Sequence, residues 1–148
     1  GTADWRYIGD VKKNVSLPVI ANGDIQSVED AKTAMELSGA DGVMIARGSY
    51  GRPWFVAQVA EYLRSGHHLP DPDLEEQSCL LHEHYDALLS HYGTDVGVRN
   101  ARKHLGWYSA RLPGGETFRQ QVVRLTDPDQ VRDEIDRFYG GLQLKESA

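Results

Sequence analysis

The sequence predicts an α/β segment followed by an all-α segment. Three observations carry that expectation. Strand-like and helix-like text alternates over residues 1–65, a Gly/Pro/Asp-rich stretch SGHHLPDPDLEE (65–76) breaks the pattern, and every later apolar repeat steps at helical intervals. The expected organisation is an α/β part at 1–65, a linker at 66–73, a helical domain at 74–142 and a tail at 143–148.

In the first part, Trp5, Ile8 and Val11 (or Val15) recur at helical spacing, and Leu17–Ala21 is a continuous apolar run of the kind a strand buried on both faces shows. Ser27 is a capping residue for the next helix, along which Val28, Ala31 and Met35 share a face, and Gly39 supplies a stop. GVMIA (42–46) reads as a second buried strand ending at Arg47-Gly48. RPWFVAQVAEYLRSG (52–66) reads as a third helix with Pro53 in its first turn, and Ser49 to Arg52 as the start of a short extra helix. The strand ends VIANGD and MIARGS recur about 25 residues apart, as consecutive βα units of a parallel sheet or barrel would place them. Two strands alone leave most of a doubly buried sheet in water, so the chain is expected to be a piece of something larger.

The second part steps at three and four residues throughout. Leu74, Leu81, Tyr85, Leu88 and Tyr92 mark one helix, and Val98, Ala101, Leu105 and Tyr108 a second. Phe118, Val122 and Leu125 mark a third, and Val131, Ile135, Phe138 and Leu142 a fourth behind the start signal Thr126-Asp127-Pro128.

Net charge is −6 over 148 residues, an average that conceals blocks of opposite sign. Residues 66–97 hold seven acids and no Lys or Arg, whereas residues 98–124 hold Arg99, Arg102, Lys103, Arg111, Arg119 and Arg124 against the single acid Glu116. A focused basic segment binds polyanions even in an acidic protein. No run approaches the roughly 18 apolar residues of a membrane span, and no basic-then-apolar leader is present, so the expected location is the cytoplasm. Cys79 is the only cysteine, which rules out an internal disulfide framework and multi-cysteine zinc patterns. It reads as an inert thiol, with no adjacent base to lower its pKa. His84 and His91 share a helix face that His82 does not join, so the histidines read as ordinary rather than as a metal site.

Two constellations bear on chemistry. Asn22-Gly23-Asp24 and Ala46-Arg47-Gly48 sit at matching strand ends, where barrels hold phosphates on glycine amides and a short helix. Each is either an ordinary turn or half of a phosphate site, and Asp24 suits holding the loop or a ligand hydroxyl better than facing a phosphate. On a helix, Arg99, Arg102, Lys103 and Trp107 form one stripe opposite the Val98–Leu105 side. Cations meet phosphates and an aromatic among them stacks on a base, while the competing reading is a solvated basic face over a packed Trp.

LPVIANGDIQSVEDA…SGADGVMIARGSYGRPWF followed by HYG…RNARKHLGWY resembles the C-terminal half of bacterial tRNA-dihydrouridine synthases, of the nitrogen-regulation-protein-like type, from about Ala3 to about Gly140. The resemblance implies the terminal βα units of a TIM-type (β/α)8 flavin barrel followed by a four-helix tRNA-binding domain. In such enzymes NADPH reduces FMN, a hydride passes to C6 of a uridine held out of its stack, and a cysteine protonates C5. Carried onto this chain, Asn22, Gly23 and Asp24 with Ala46, Arg47 and Gly48 resemble the FMN-phosphate loops, and Arg99, Arg102, Lys103, His104 and Trp107 resemble tRNA contacts. Ala46 stands where glycine is more usual. No catalytic residue is expected in this stretch, since the family's proton-donor cysteine and its flavin-contacting lysine and histidine precede it, and the stretch alone is expected to be inactive and to bind FMN weakly or not at all. The competing expectations are a small-molecule flavin or phosphate-binding barrel oxidoreductase, which has no use for the Arg99–Trp107 stripe, and a stand-alone RNA-binding or regulatory helical module.

Overall fold

In the computed structural model, which describes residues 2–146, the chain divides into two compact units, Gly1–Asp71 and Pro72–Ala148. The described residues contain seven α-helices, two short parallel strands and one 3-10 turn. No described helix is long and apolar enough to cross a membrane.

The first unit runs α1 (Trp5–Lys13), β1 (Ile20–Asn22), α2 (Val28–Ser38), β2 (Gly42–Met44), a single 3-10 turn at Arg47–Ser49 and α3 (Phe55–Ser65). Local signals set the helix ends. The Asp4 carboxylate accepts from the amides of Arg6 and Tyr7 to start α1, and Ser27 and Asp30 form a reciprocal capping box at the start of α2. Gly39 and Gly66 adopt left-handed conformations that close α2 and α3. β1 and β2 pair in parallel with Asn22 opposite Met44. Ile25, Ala31, Ala34, Phe55 and Val59 form the core, with Trp5, Val28, Val43 and Ile45 packed against it. Asp41 joins the segments leading into both strands, accepting from Lys12 Nζ at 2.6 Å and from the Val19 amide at 2.7 Å. Those donors, Lys12 first, hold its carboxyl below the usual carboxylate range.

Several sequence expectations change here. The first strand is not Leu17–Ala21 and is not buried on both faces: only Ala21 is enclosed, whereas Leu17 is 70% and Ile20 54% exposed. Helices cover one face of the pair and, among the described residues, no further strand covers the other, so apolar residues that the pattern assigns to a core stand open. Val11 and Val15 are also exposed. The short helical turn begins at Arg47 rather than Ser49, and α3 begins at Phe55, leaving Pro53 in the preceding turn. Gly51, at φ 71°, ends the short turn, and the residues after it form a tighter turn in which the Phe55 and Val56 amides donate to the Arg52 and Pro53 carbonyls, three residues back rather than four.

The second unit consists of α4 (Leu74–Tyr92), α5 (Thr94–Ser109), α6 (Gly115–Val122) and α7 (Pro128–Glu146). Helix α4 packs on α5 and α7, and α6 packs on the same two. Their buried faces supply Leu81, Tyr85, Val98, Ala101, Leu105, Tyr108, Phe118, Val122, Val131, Ile135, Tyr139 and Leu142. Tyr92, counted by spacing among the core, is 48% exposed at the end of α4, and Tyr139 takes an enclosed place that the spacing assigned to Phe138. Phe138 instead stacks on Phe118 with ring centroids 4.5 Å apart. Helix α7 continues past Leu142 to Glu146. It is tied to α4 by Arg132, which meets Asp86 at 2.8 Å, and by the His82–Asp136 contact at 2.8 Å.

Candidate functional site

The first candidate site is the pair of loops after β1 and β2. Gly23 leaves β1 at φ 115°, and Asp24 follows at φ 54°, the one left-handed non-glycine among the described residues. Both are held from the start of α1 and the residues before it: Trp5 Nε1 donates to the Gly23 carbonyl at 2.9 Å, and the Ala3 amide donates to Asp24 Oδ2 at 2.7 Å. Asp24 therefore secures the loop. Arg47 reaches 4.0 Å from Asp24 Oδ1 and keeps its side chain 82% exposed.

A residue outside the sequence-derived set joins the two loops. Arg52 donates from Nε to the Gly48 carbonyl at 2.7 Å and from Nη2 to the Gln26 carbonyl at 2.5 Å, while its guanidinium lies 3.9 Å from the Phe55 ring centre. One planar fork thus fastens the loop after β2 to the loop after β1. The loops also touch directly, because a Cβ on Gly48 would stand 2.1 Å from the Ile25 carbonyl. Nothing periodic in the sequence marks Arg52; it is one cation in a Gly-Arg-Pro turn. Asn22, Gly23, Asp24, Ala46, Arg47 and Gly48 do come together, with Arg47 as their exposed cation. Both glycines allow close packing, Gly48 of loop on loop and Gly23 against the Ala3 side chain, which a Cβ would meet at 2.6 Å, and Gly23 also permits the positive-φ turn.

The second candidate site is on α5. Arg99 and Lys103 are exposed and Trp107 half-buried, one helical turn apart in succession. Arg102 leaves the stripe. Its Nη2 donates to the Leu125 carbonyl at 3.2 Å, and its Nε is buried with no hydrogen-bond partner among the described residues, so it fastens α5 to the segment before α7. His104 is also turned inward, in a chain of rings. Its centroid lies 4.6 Å from that of His84 and 5.0 Å from that of Trp107, and Tyr108 Oη is 3.5 Å from His84 Nδ1. Periodicity placed Arg102 beside the exposed cations and the family resemblance added His104, but neither carried information about the Leu125 carbonyl or the His84 ring. Between α5 and α6, Lys103, Gly106, Trp107, Ala110, Gly115, Glu116 and Arg119 line a groove of about 330 Å³.

Burial pushes the His104 imidazole down from its ordinary 6.5 to about 4, with the neighbouring His84 and Lys103 adding to the effect. Burial also lowers His84. A base whose folded pKa is depressed leaves the unfolded chain binding more protons below about 6.5. The stability these rings confer is therefore whole above that pH and is lost as pH falls toward about 4. Thermal melts at pH 7 and pH 5 should show a drop in the midpoint that is smaller in His104→Phe; an equal drop in both would refute this origin.

Residues 1–140 match the sequence profile of the family described as Dihydrouridine synthase (Dus). The chain is similar to a probable tRNA-dihydrouridine synthase of Rickettsia bellii, at 49% identity over 139 residues, covering 94% of this chain and 43% of that protein. It is equally similar to the tRNA-dihydrouridine synthase B of Pseudomonas putida, at 49% identity over 139 residues, with 94% and 41% covered. The corresponding protein of Pseudomonas aeruginosa is 44% identical over 143 residues, with 97% and 43% covered. The chain thus spans about two-fifths of the length of these relatives.

Proposed function

The chain belongs to the dihydrouridine synthase family, and on that premise we propose that it forms part of an FMN-dependent enzyme that reduces the C5–C6 double bond of uridines in tRNA with NAD(P)H. The observation that carries the RNA side of this reading is the face of α5, where Arg99, Lys103 and Trp107 follow one another a turn apart within the basic 98–124 segment. Cations at that spacing track a phosphate backbone, and the aromatic among them offers a stacking surface.

The loops of the first unit supply the cofactor side. Their residues fit an anionic phosphate: Arg47 presents a largely exposed guanidinium, Gly23 opens the backbone, and the Asp24 carboxylate is turned to the Ala3 amide with Arg47 4.0 Å away to offset its charge. When bound, FMN supplies hydride transfer, chemistry that belongs to the cofactor. Asn22, Gly23, Ala46, Arg47 and Gly48 would hold its phosphate, with Asp24 securing the first loop and Arg52 keeping the two loops in register. The βα units of this part then belong to a TIM-type barrel, in which further strands cover Ile20 and Met44, 54% and 52% exposed here. The chain alone accordingly has no complete flavin site and is inactive.

Binding of unmodified tRNA, titrated against salt, tests the RNA assignment. Affinity should fall steeply with salt, and Arg99→Ala and Lys103→Ala should each weaken binding and reduce the salt slope by about 1. Unchanged affinity in both variants would sink the assignment of α5.

A further inference from the structure

Resting on the RNA reading above, we propose that the groove between α5 and α6 is a stacking subsite for one unpaired nucleobase of an RNA strand. Trp107 forms the platform, and Lys103 and Arg119 hold the flanking phosphates. Lys103 and Trp107 project from α5 one turn apart, and Arg119 arrives from α6. Gly106 makes the approach of Arg119 possible: a Cβ there would lie 3.2 Å from Arg119 Cδ and 3.3 Å from its Nε, so the arginine stem crosses α5 where no side chain intervenes. Glu116 meets the Arg119 guanidinium at 3.5 Å and accepts from Gln120 at 3.1 Å, which steadies the cation at the groove edge. His104 meets the Trp107 ring edge-to-face, with planes at 84°, and so sets the tilt of the platform.

Two features select an RNA strand with exposed bases over other anions. The cations are spread out, since Arg99 precedes Lys103 by four positions, about 6 Å along the helix, and Arg119 stands on the neighbouring α6, an arrangement that suits successive phosphates rather than one. The groove is concave and of about 330 Å³, the lower end of sites that enclose a small planar group. A paired A-form helix keeps its bases within the stack and has nothing to insert.

The experiment compares binding of a labelled single-stranded RNA of roughly ten nucleotides with an abasic strand of equal length and charge, using the whole chain. The wild type should prefer the base-bearing strand about tenfold. Trp107→Leu should remove that preference, and Trp107→Phe should keep most of it, with circular dichroism verifying the fold of each. Arg119→Gln should weaken both strands alike and lower the salt slope by about 1. Equal wild-type binding of the two strands, or an undiminished preference in Trp107→Leu, overturns the subsite even if tRNA binds. Failure of the wild type to bind either strand or tRNA overturns both the subsite and the RNA reading beneath it.

Discussion

Gly115→Ala should lower the stability of the helical unit by about 3 kcal/mol or more, the upper end of what overpacking costs. A Cβ at this position would stand 1.8 Å from the Ser109 carbonyl oxygen and 2.7 Å from its carbon, both backbone atoms of the last turn of α5. Neither can rotate aside. The chain between them is already closed by hydrogen bonds, Leu112 to Ser109 and Gly115 to Leu112, each 3.0 Å, and the single proton of the buried Ser109 hydroxyl is shared between the Gly106 and Gly115 carbonyls, both 3.3 Å from its oxygen. Relief of the clash has to move α6 away from α5, drawing Phe118 and Val122 out of the core. For a unit of this size, the midpoint of the thermal transition should fall by roughly 12 °C or more. A midpoint within a few degrees of wild type would show that the close approach at Gly115 is not a constraint.

Gly48→Ala should have the second largest effect, about 2–3 kcal/mol on the first unit. The added Cβ would meet the Ile25 carbonyl at 2.1 Å, with the Ile45 side chain at 3.3 Å on another side. Separating the loops also strains the Arg52 fork, because its two acceptors, Gly48 and Gln26, lie on opposite sides of the contact. Faster hydrogen exchange around Ile25, Gln26 and Gly48 should accompany the loss of stability. Wild-type exchange in a variant that remains folded would mean that the two loops are not held as one structure.

Helix ends were the most legible feature of this sequence, because capping is a conversation among four or five consecutive residues. Ser27, Gly39, and Asp127 before Pro128 each carry their own geometric instruction, and the helices obey them, with Asp30 completing the box at Ser27. The apolar spacing of α5 was equally plain, and Val98, Ala101, Leu105 and Tyr108 are all buried. The strands were less legible. Leu17 and Ile20 look like core residues because a β-branched apolar run says only that a strand should be covered, not whether anything in the same chain covers it.

The candidate sites divide in the same way. The meeting of Asn22-Gly23-Asp24 with Ala46-Arg47-Gly48 was readable from two matching strand ends, since parallel βα units bring such ends to one edge. Arg52 was not, because its acceptors lie 4 and 26 positions away and no period relates them. Along α5, spacing alone put Arg99, Lys103 and Trp107 on one side. Tertiary packing then withdrew Arg102 toward Leu125 and His104 toward His84, and brought Arg119 in from α6. Periodicity is a property of one helix, so it assigns residues to a face; the backbone or ring waiting at that face belongs to another helix, and only folding decides which cations it takes out of solvent.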